Sequence, residues 1–179
     1  SQVFVSNVVL ESALQFEHSG SDEAEEINHI MGAAYFFRAH AFFNLLQMFA
    51  SQYNPNTSDL DLGIPLKLST NVNESIERSS LKESYDQVLE DLRLAISYLP
   101  TTSGISTQPN KGSAFAQLSR VYLVMGDWES ALMAAENSLG IYDYLIDFNE
   151  IDVSVQFHFK LFNEEVIFHS DQNSFPLYR

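Results

Sequence analysis

The side chains that most often carry out chemistry form no recognisable constellation in this sequence. There is no cysteine, and therefore no disulfide framework, thiolate metal site or cysteine nucleophile. The sequence also has no phosphate-binding glycine loop, no nucleophile elbow and no zinc-binding His-Glu-x-x-His pattern. Five histidines are present without ligand spacing, at His18, His29, His40, His158 and His169. We therefore predict no catalytic residue, no metal ligand and no cofactor.

Carboxylates are abundant, but none is marked out for catalysis. The 24 acidic and 9 basic side chains give a formal net charge of -15, which argues against electrostatic binding to nucleic acid or to an anionic membrane. Glu23, Glu25 and Glu26 follow Asp22 in what reads as a first helical turn, where the helix dipole favours negative charge over a metal site. The acidic and amide residues of 54–61 lack the spacing of an EF-hand, so they indicate a solvated turn.

The longest apolar stretch, residues 28–50, is the element around which the rest of the chain must pack. It contains no proline, and its Ala, Leu and Met content favours a helix. A membrane span is the alternative, but Arg38, His40 and Asn44 lie mid-segment, where polar groups are costly in lipid. We predict a helix buried in protein, with Arg38 paired to a carboxylate because a buried guanidinium needs one. Asp91 is the favoured partner and Glu90 the alternative.

Start and stop signals divide the remaining chain. Ser80 and Glu83 form a capping box, Pro100 stops the helix that it opens, and Gly126 and Asp127 separate two further helices. We predict helices near 2–18, 22–51, 80–99, 112–125 and 127–140, and an extended loop over 54–77. Beyond residue 140 the strand signals are weak and little regular structure is expected.

The last two predicted helices resemble a tetratricopeptide unit. Small, aromatic and turn residues stand where that repeat places them, at Ala114, Leu118, Tyr122, Gly126, Asp127, Trp128 and Ala131. Such a repeat needs neighbouring helices to bury its faces. We predict an all-α, tetratricopeptide-like helical-repeat region over residues 1–140. Residues 141–179 are expected to be a mostly irregular start of another segment, with Trp128 in the core of the helix pair.

Four stretches in the same order resemble the SusD/RagB family of glycan-binding surface lipoproteins of Bacteroidota. The first is residues 32–49, with Tyr-Phe-Phe-Arg-Ala at its centre, and the second is Gly-Ile-Pro-Leu at 63–66 followed by Arg78 and residues 85–100. The third is residues 111–128, from Lys-Gly-Ser-Ala to Met-Gly-Asp-Trp, and the fourth is Asn-Glu-Glu-Val-Ile-Phe at 163–168. Compared with a full member, we expect the signal peptide, the lipidated cysteine and the long C-terminal part to be missing from this chain.

The resemblance implies a protein that is not an enzyme. It implies capture of an oligosaccharide ligand at the outer membrane and delivery to a SusC-type TonB-dependent channel for nutrient uptake. A membrane would then be reached only through a lipid anchor absent from this chain, and the chain is expected to be a piece of a longer protein. No motif marks the family's sugar-binding residues, so none is transferred by position.

Residues that could bind a sugar are therefore chosen on chemistry alone. Tyr53, Asn54 and Asn56 offer one aromatic face and two amides just past the central helix, a combination suited to weak, reversible capture of a sugar. The alternative is that these three residues only form a turn and have no role in binding. Two alternatives remain: a tetratricopeptide adaptor that binds a peptide or protein, and a carbohydrate-active enzyme, which would need a placed carboxylate pair.

Overall fold

The computed structural model describes residues 1–16, 21–151, 154, 159 and 162–170. This described part contains five α-helices, which are α1 (Gln2–Phe16), α2 (Ser21–Phe49), α3 (Leu81–Tyr98), α4 (Lys111–Met125) and α5 (Trp128–Ile141). Each helix begins and ends within two residues of its predicted range. The predicted all-α, tetratricopeptide-like fold is confirmed.

The helix ends follow the local sequence signals. The Ser80 hydroxyl accepts a hydrogen bond from the Glu83 backbone N–H, and the Glu83 side chain accepts from the Ser80 N–H, which completes the capping box of α3. Gly126 ends α4 with a φ of 78°, a left-handed conformation that glycine adopts without a steric penalty. The Asp127 side chain then accepts from the Ser130 N–H and caps α5.

The hydrophobic core lies between α2 and the helices packed around it. The buried face of α2 presents Phe36, Phe42, Phe43 and Leu46, each at most 2% exposed. α2 packs on α1 and α3, and α4 packs on both α3 and α5. The apolar stripe of α3 is buried as its spacing predicts; its members are Leu81, Tyr85, Val88, Leu92, Ala95 and Leu99. These contacts make α2 the central element of the fold.

The segment predicted as an extended loop contains one short strand and leads into a second. Strands β1 (Leu62–Pro65) and β2 (Arg78–Ser80) pair antiparallel, with an irregularity in their register. A Cβ added at Gly63 would lie 2.5 Å from the Ser80 carbonyl oxygen, so only glycine allows this close approach to β2. Three- and four-residue strands carry too short a period-two pattern to be read from sequence.

The described residues after α5 are irregular apart from a 3-10 helix at Phe148–Glu150. Residues 163–168 return to the helices, where the Phe168 ring meets the Phe36 ring edge-on at 5.1 Å between centroids. The His169 N–H donates to the Ser106 carbonyl at 2.7 Å. Most of the alternating run at 157–162 lies outside the described residues. The domain division at residue 140 stays a prediction.

Within the described part of the chain, no helix combines the length and the apolarity that crossing a bilayer requires.

Candidate functional site

The loop that follows α2 is tied to the first turn of α3. The Ser58 carbonyl accepts from the Lys82 N–H at 2.9 Å, and the Asp61 carbonyl accepts from the Leu81 N–H at 2.7 Å. The Thr57 hydroxyl donates to the Asp61 carboxylate at 2.6 Å. The loop is therefore a fixed turn on the helical scaffold.

The three residues proposed from sequence occupy different settings in this loop. Tyr53 is half-buried, and its ring meets the Tyr85 ring edge-on at 4.9 Å between centroids. Because Tyr85 is only 1% exposed, the half-buried Tyr53 ring packs against the core. The sequence placed Tyr53 among plain turn residues and did not reveal this contact.

The two amides lie on the solvent side of the loop. The Asn54 side-chain oxygen accepts from the Asn56 N–H at 3.0 Å, an interaction that stabilises the turn. The Asn54 carbonyl accepts from the Thr57 and Ser58 N–H groups. Asn56 is exposed. The exposed Asn56 side chain is thus available to a ligand on a fixed turn, whereas the Asn54 side chain stabilises that turn.

Arg38 and Asp91 form a buried ion pair between α2 and α3. The Arg38 Nε and Nη2 donate to the two Asp91 carboxylate oxygens at 2.8 and 2.7 Å. The Arg38 Nη1 donates to the Asn7 side-chain oxygen on α1 at 3.0 Å, and Gln87 donates to Asp91 at 3.0 Å. The Arg38 guanidinium also lies 5.5 Å from the centre of the Tyr35 ring. This network joins three helices and has a structural role.

The ion pair between Arg38 and Asp91 is buried away from solvent. Arg38 is 7% exposed and Asp91 fully buried. Burial raises the pKa of the Asp91 carboxyl, and hydrogen bonds from Arg38 and Gln87 offset part of the rise by favouring the ionised form. Ionised Asp91 therefore depends on Arg38.

His40 lies two residues further along α2 and is a second perturbed group. Burial lowers the pKa of its imidazole, the nearby Arg120 guanidinium lowers it further, and Gln117 opposes part of the change. The ring stacks on Phe36 at 6.4 Å between centroids, and its Nδ1 is buried without a hydrogen-bond partner. Burial and Arg120 thus favour the neutral form of this imidazole between α2 and α4.

The sequence predicted Trp128 in the core of the helix pair, and this prediction is wrong. Trp128 is the first residue of α5, and 68% of its surface is exposed. The core positions of α5 are Ala131, Ala134 and Ser138, whose small side chains allow α5 to lie close to α4. The tetratricopeptide pattern places an aromatic residue at this turn, but it does not predict whether a neighbouring helix covers that residue.

A cavity of about 520 Å³ between the ends of α2, α3 and α4 was not foreseen. Carboxylate, amide, imidazole, aromatic and ammonium groups line it, among them Glu25, Asn28, His29, Tyr98 and Lys111. The cavity is open to solvent, and its lining is about as polar as it is apolar. Its walls come from separate segments at residues 25–29, 97–100 and 111, so no local pattern could reveal it.

No metal centre is formed by the described residues, where no three His, Asp or Glu side chains are grouped so that they could hold an ion.

The fold and these sites define a class: a helical, tetratricopeptide-like scaffold that carries surface loops and a polar cavity. Residues 1–123 match the SusD-like family described as "Starch-binding associating with outer membrane". The chain belongs to the SusD-like family.

Three relatives show how much of such a protein the chain represents. It is 27% identical over 116 residues to SusD-like protein P2 of Formosa agariphila, an alignment that covers 65% of the chain and 21% of that protein. A SusD superfamily crystal structure from Bacteroides thetaiotaomicron is 28% identical, with a TM-score of 0.68 over 76% of the chain and 29% of its own length. A candidate sugar binding protein from Bacteroides vulgatus is 26% identical, with a TM-score of 0.72 over 79% and 31%. The chain thus spans less than a third of the length of each.

Proposed function

We propose that the full-length protein binds an oligosaccharide at the cell surface without altering it and delivers it to a SusC-type TonB-dependent outer-membrane channel. The observation that carries this proposal is the match of residues 1–123 to the SusD-like family. The 26% identity to a candidate sugar binding protein of the same fold supports the ligand class. The surface location and the lipid anchor are proposed for the full-length protein.

Within this chain, the loop at residues 52–61 remains the proposed glycan-proximal element. Its turn is fixed by hydrogen bonds to α3, and it exposes Gln52 and Asn56. An amide that is already positioned loses little conformational freedom when it binds a sugar hydroxyl. Tyr53 contributes by holding the loop on Tyr85.

The cavity beside Asn28 is a second candidate for the same role. It combines the Tyr98 ring with amide and carboxylate groups, which suit a neutral, hydroxyl-rich ligand. The Tyr98 ring is braced by the Tyr35 ring, which stacks on it at 6.1 Å between centroids. The two candidates are separable by single substitutions.

The test is calorimetry of the full-length protein against plant, host and microbial glycans, with product analysis of the same samples. Capture through a few hydrogen bonds and ring contacts predicts dissociation constants on the order of micromolar to millimolar, because the sugar hydroxyls give up good hydrogen bonds to water. Asn56→Ala is expected to weaken binding if the loop contacts the glycan, and Asn28→Ala if the cavity does. Asn137→Ala, an exposed amide on α5, is the matched control.

Two results would contradict the proposal. Cleaved glycan in the product analysis would show an enzyme. Absence of binding to every glycan, together with retention of a specific peptide or protein partner, would favour the tetratricopeptide adaptor. If glycan binding survives both asparagine substitutions, the proposal stands and these two places are removed from it. Co-purification of the full-length protein with a TonB-dependent channel tests the delivery step.

A further inference from the structure

The last residue of α2 exposes an aromatic ring beside the loop at residues 52–61. Phe49 is 66% exposed, whereas Tyr53 is half-buried and packs on Tyr85. The other phenylalanines of α2 are buried or half-buried. At this end of the helix, Phe49 therefore offers a ligand more ring surface than Tyr53, the aromatic residue chosen from sequence.

Arg78 fixes the backbone that carries the Phe49 ring. Its Nη2 donates to the carbonyls of Phe49 and Leu62, both at 3.2 Å, and its Nε donates to the Gly63 carbonyl at 2.7 Å. The Phe49 carbonyl lies at the end of α2, where carbonyls have no partner within the helix. One guanidinium thus ties the end of α2 to β1, and the backbone under the ring is ordered before a ligand binds.

A shallow, mainly apolar groove of about 200 Å³ lies beside the ring. This groove, here named the Phe49 groove, is lined by Leu45, Phe49, Gly63, Ile64, Pro65 and Arg78. The Ile64 N–H donates to the Ser84 hydroxyl at 3.1 Å, which fixes this part of β1 on α3. Pockets that enclose a small ligand measure roughly 300–1,000 Å³, so the Phe49 groove can contact part of an oligosaccharide but cannot enclose one.

We propose that Phe49 is the aromatic platform of the glycan site, on which one pyranose ring of a neutral oligosaccharide lies. The C–H groups on one face of a pyranose carry partial positive charge and meet the negative face of an aromatic ring. Gln52, an exposed amide three residues further on, has its Cα within about 11 Å of the Phe49 Cα, close enough to bind hydroxyls of the same glycan. Arg78 is the positioning residue that holds the platform. The inference rests on the proposed glycan binding and assigns the residues that make the first contact.

The electrostatics of the chain favour a neutral glycan over an acidic one. The formal net charge of -15 repels an anionic ligand. The Phe49 ring presents a negative face, which attracts C–H groups and repels a carboxylate. Arg78 is the cation of the Phe49 groove, but backbone carbonyls already accept hydrogen bonds from its Nε and Nη2. A uronate or a sulfate ester would therefore bind here less well than a sugar that carries only hydroxyls.

The experiment measures the glycan affinity of the full-length protein by calorimetry. The probes are neutral hexasaccharides of the glucan, xylan and mannan types, with oligogalacturonate as the acidic probe. Phe49→Ala and Phe49→Leu should each weaken binding of the best neutral probe on the order of tenfold, because neither variant retains a ring. Phe49→Tyr retains the ring and should bind within about twofold of the wild type. Met48→Ala is the matched control, since Met48 is 65% exposed on the same last turn of α2, and its affinity should not change.

The positioning role of Arg78 is tested with a double-mutant cycle. Arg78→Lys keeps the positive charge but lacks the planar guanidinium that reaches the carbonyls of both segments, so it should weaken binding of the same probe. Because Arg78 acts through the ring, the double variant of Phe49→Ala and Arg78→Lys should bind no more weakly than Phe49→Ala alone. Losses that add in the double variant would overturn the positioning role, since they would show that Arg78 acts by a route independent of the ring.

Three results would overturn the inference as a whole. Unchanged glycan affinity in Phe49→Ala would remove the ring from the site and leave the proposed function standing. If that variant also loses co-purification with the channel, the ring belongs to a protein contact. Tighter binding of oligogalacturonate than of every neutral probe would overturn the neutral ligand class. Wild-type protein that binds no glycan would overturn this inference together with the proposed function.

Discussion

Replacing Arg38 with alanine is the most informative perturbation of this scaffold. The substitution removes both hydrogen bonds to Asp91 and the one to Asn7. The Asp91 carboxylate would remain fully buried with only the Gln87 amide as a side-chain donor. Breaking one partner of a buried ion pair typically costs about 3–5 kcal/mol. For a chain of this length, that loss corresponds to a fall in Tm of roughly 6–20 °C.

The assay is thermal unfolding followed by circular dichroism, with Arg38→Lys as the conservative variant. Lysine keeps a positive charge but cannot make the two parallel hydrogen bonds to Asp91, so it should lie between wild type and alanine. Arg93→Ala is the matched control, because Arg93 is an exposed arginine on α3 whose side chain bonds only the Tyr122 hydroxyl among the described residues. Its Tm should stay close to that of the wild type.

The pH dependence of the loss gives a further check. Without Arg38, the pKa of Asp91 should rise further above its ordinary value of 3.8, because the two hydrogen bonds from Arg38 that favour the ionised form are gone. A carboxyl whose pKa is raised by folding contributes most stability below its unfolded pKa and loses that contribution as pH rises through the folded pKa. The cost of Arg38→Ala should thus be smaller at about pH 4 than at about pH 7. A Tm within about 1 °C of wild type at neutral pH would refute the account of this pair, since such a change lies within the effect of a surface substitution.

Three further predictions follow from the contacts around the loop and α3. Tyr53→Ala should lower the Tm, because the ring packs on Tyr85, while Tyr53→Phe should nearly preserve it; equal values would show that the ring contact carries no stability. Burial and Arg120 lower the pKa of His40 below its ordinary 6.5, so stability should decline as pH falls from 6.5 towards the folded pKa. A chemical-denaturation series of His40→Gln should show a flatter pH profile, and an identical profile would exclude His40 as the cause. Ser80→Ala should cost about 0.5–2 kcal/mol by removing the cap of α3, whereas Ser80→Thr retains the hydroxyl; equal unfolding curves for the two variants would rule out the cap.

The sequence was a good guide wherever one local interaction decides the structure. The Ser80 and Glu83 capping box, the Gly126 turn and the buried stripe of α3 depend on residues within a few positions of one another. The partner of Arg38 could be predicted because a buried guanidinium needs a carboxylate beside it. α3 carries such a carboxylate, Asp91, on its buried side. Helix boundaries and a single buried charge are therefore readable without a structure.

The sequence was a poor guide to exposure. Trp128 matches a tetratricopeptide position, but a pattern of residue types is the same whether or not a further helix lies beside it. Tyr53 stands among turn residues, yet its ring reaches Tyr85, which is 32 positions away and belongs to another helix. Both errors concern contacts between distant segments, which composition and spacing do not encode.

The segment between β1 and β2 also makes contacts with a distant helix that the sequence does not reveal. The Asn7 amide donates to the carbonyls of Lys67 and Ser69 at 2.9 and 3.2 Å, and the Glu11 carboxylate accepts from the Thr70 N–H at 2.9 Å. These bonds use backbone groups, which every residue possesses, so no side-chain pattern announces them. They join α1 to the segment that leads into β2, and Asn7 also accepts from Arg38. A change at the buried ion pair should therefore displace this segment as well as the helices.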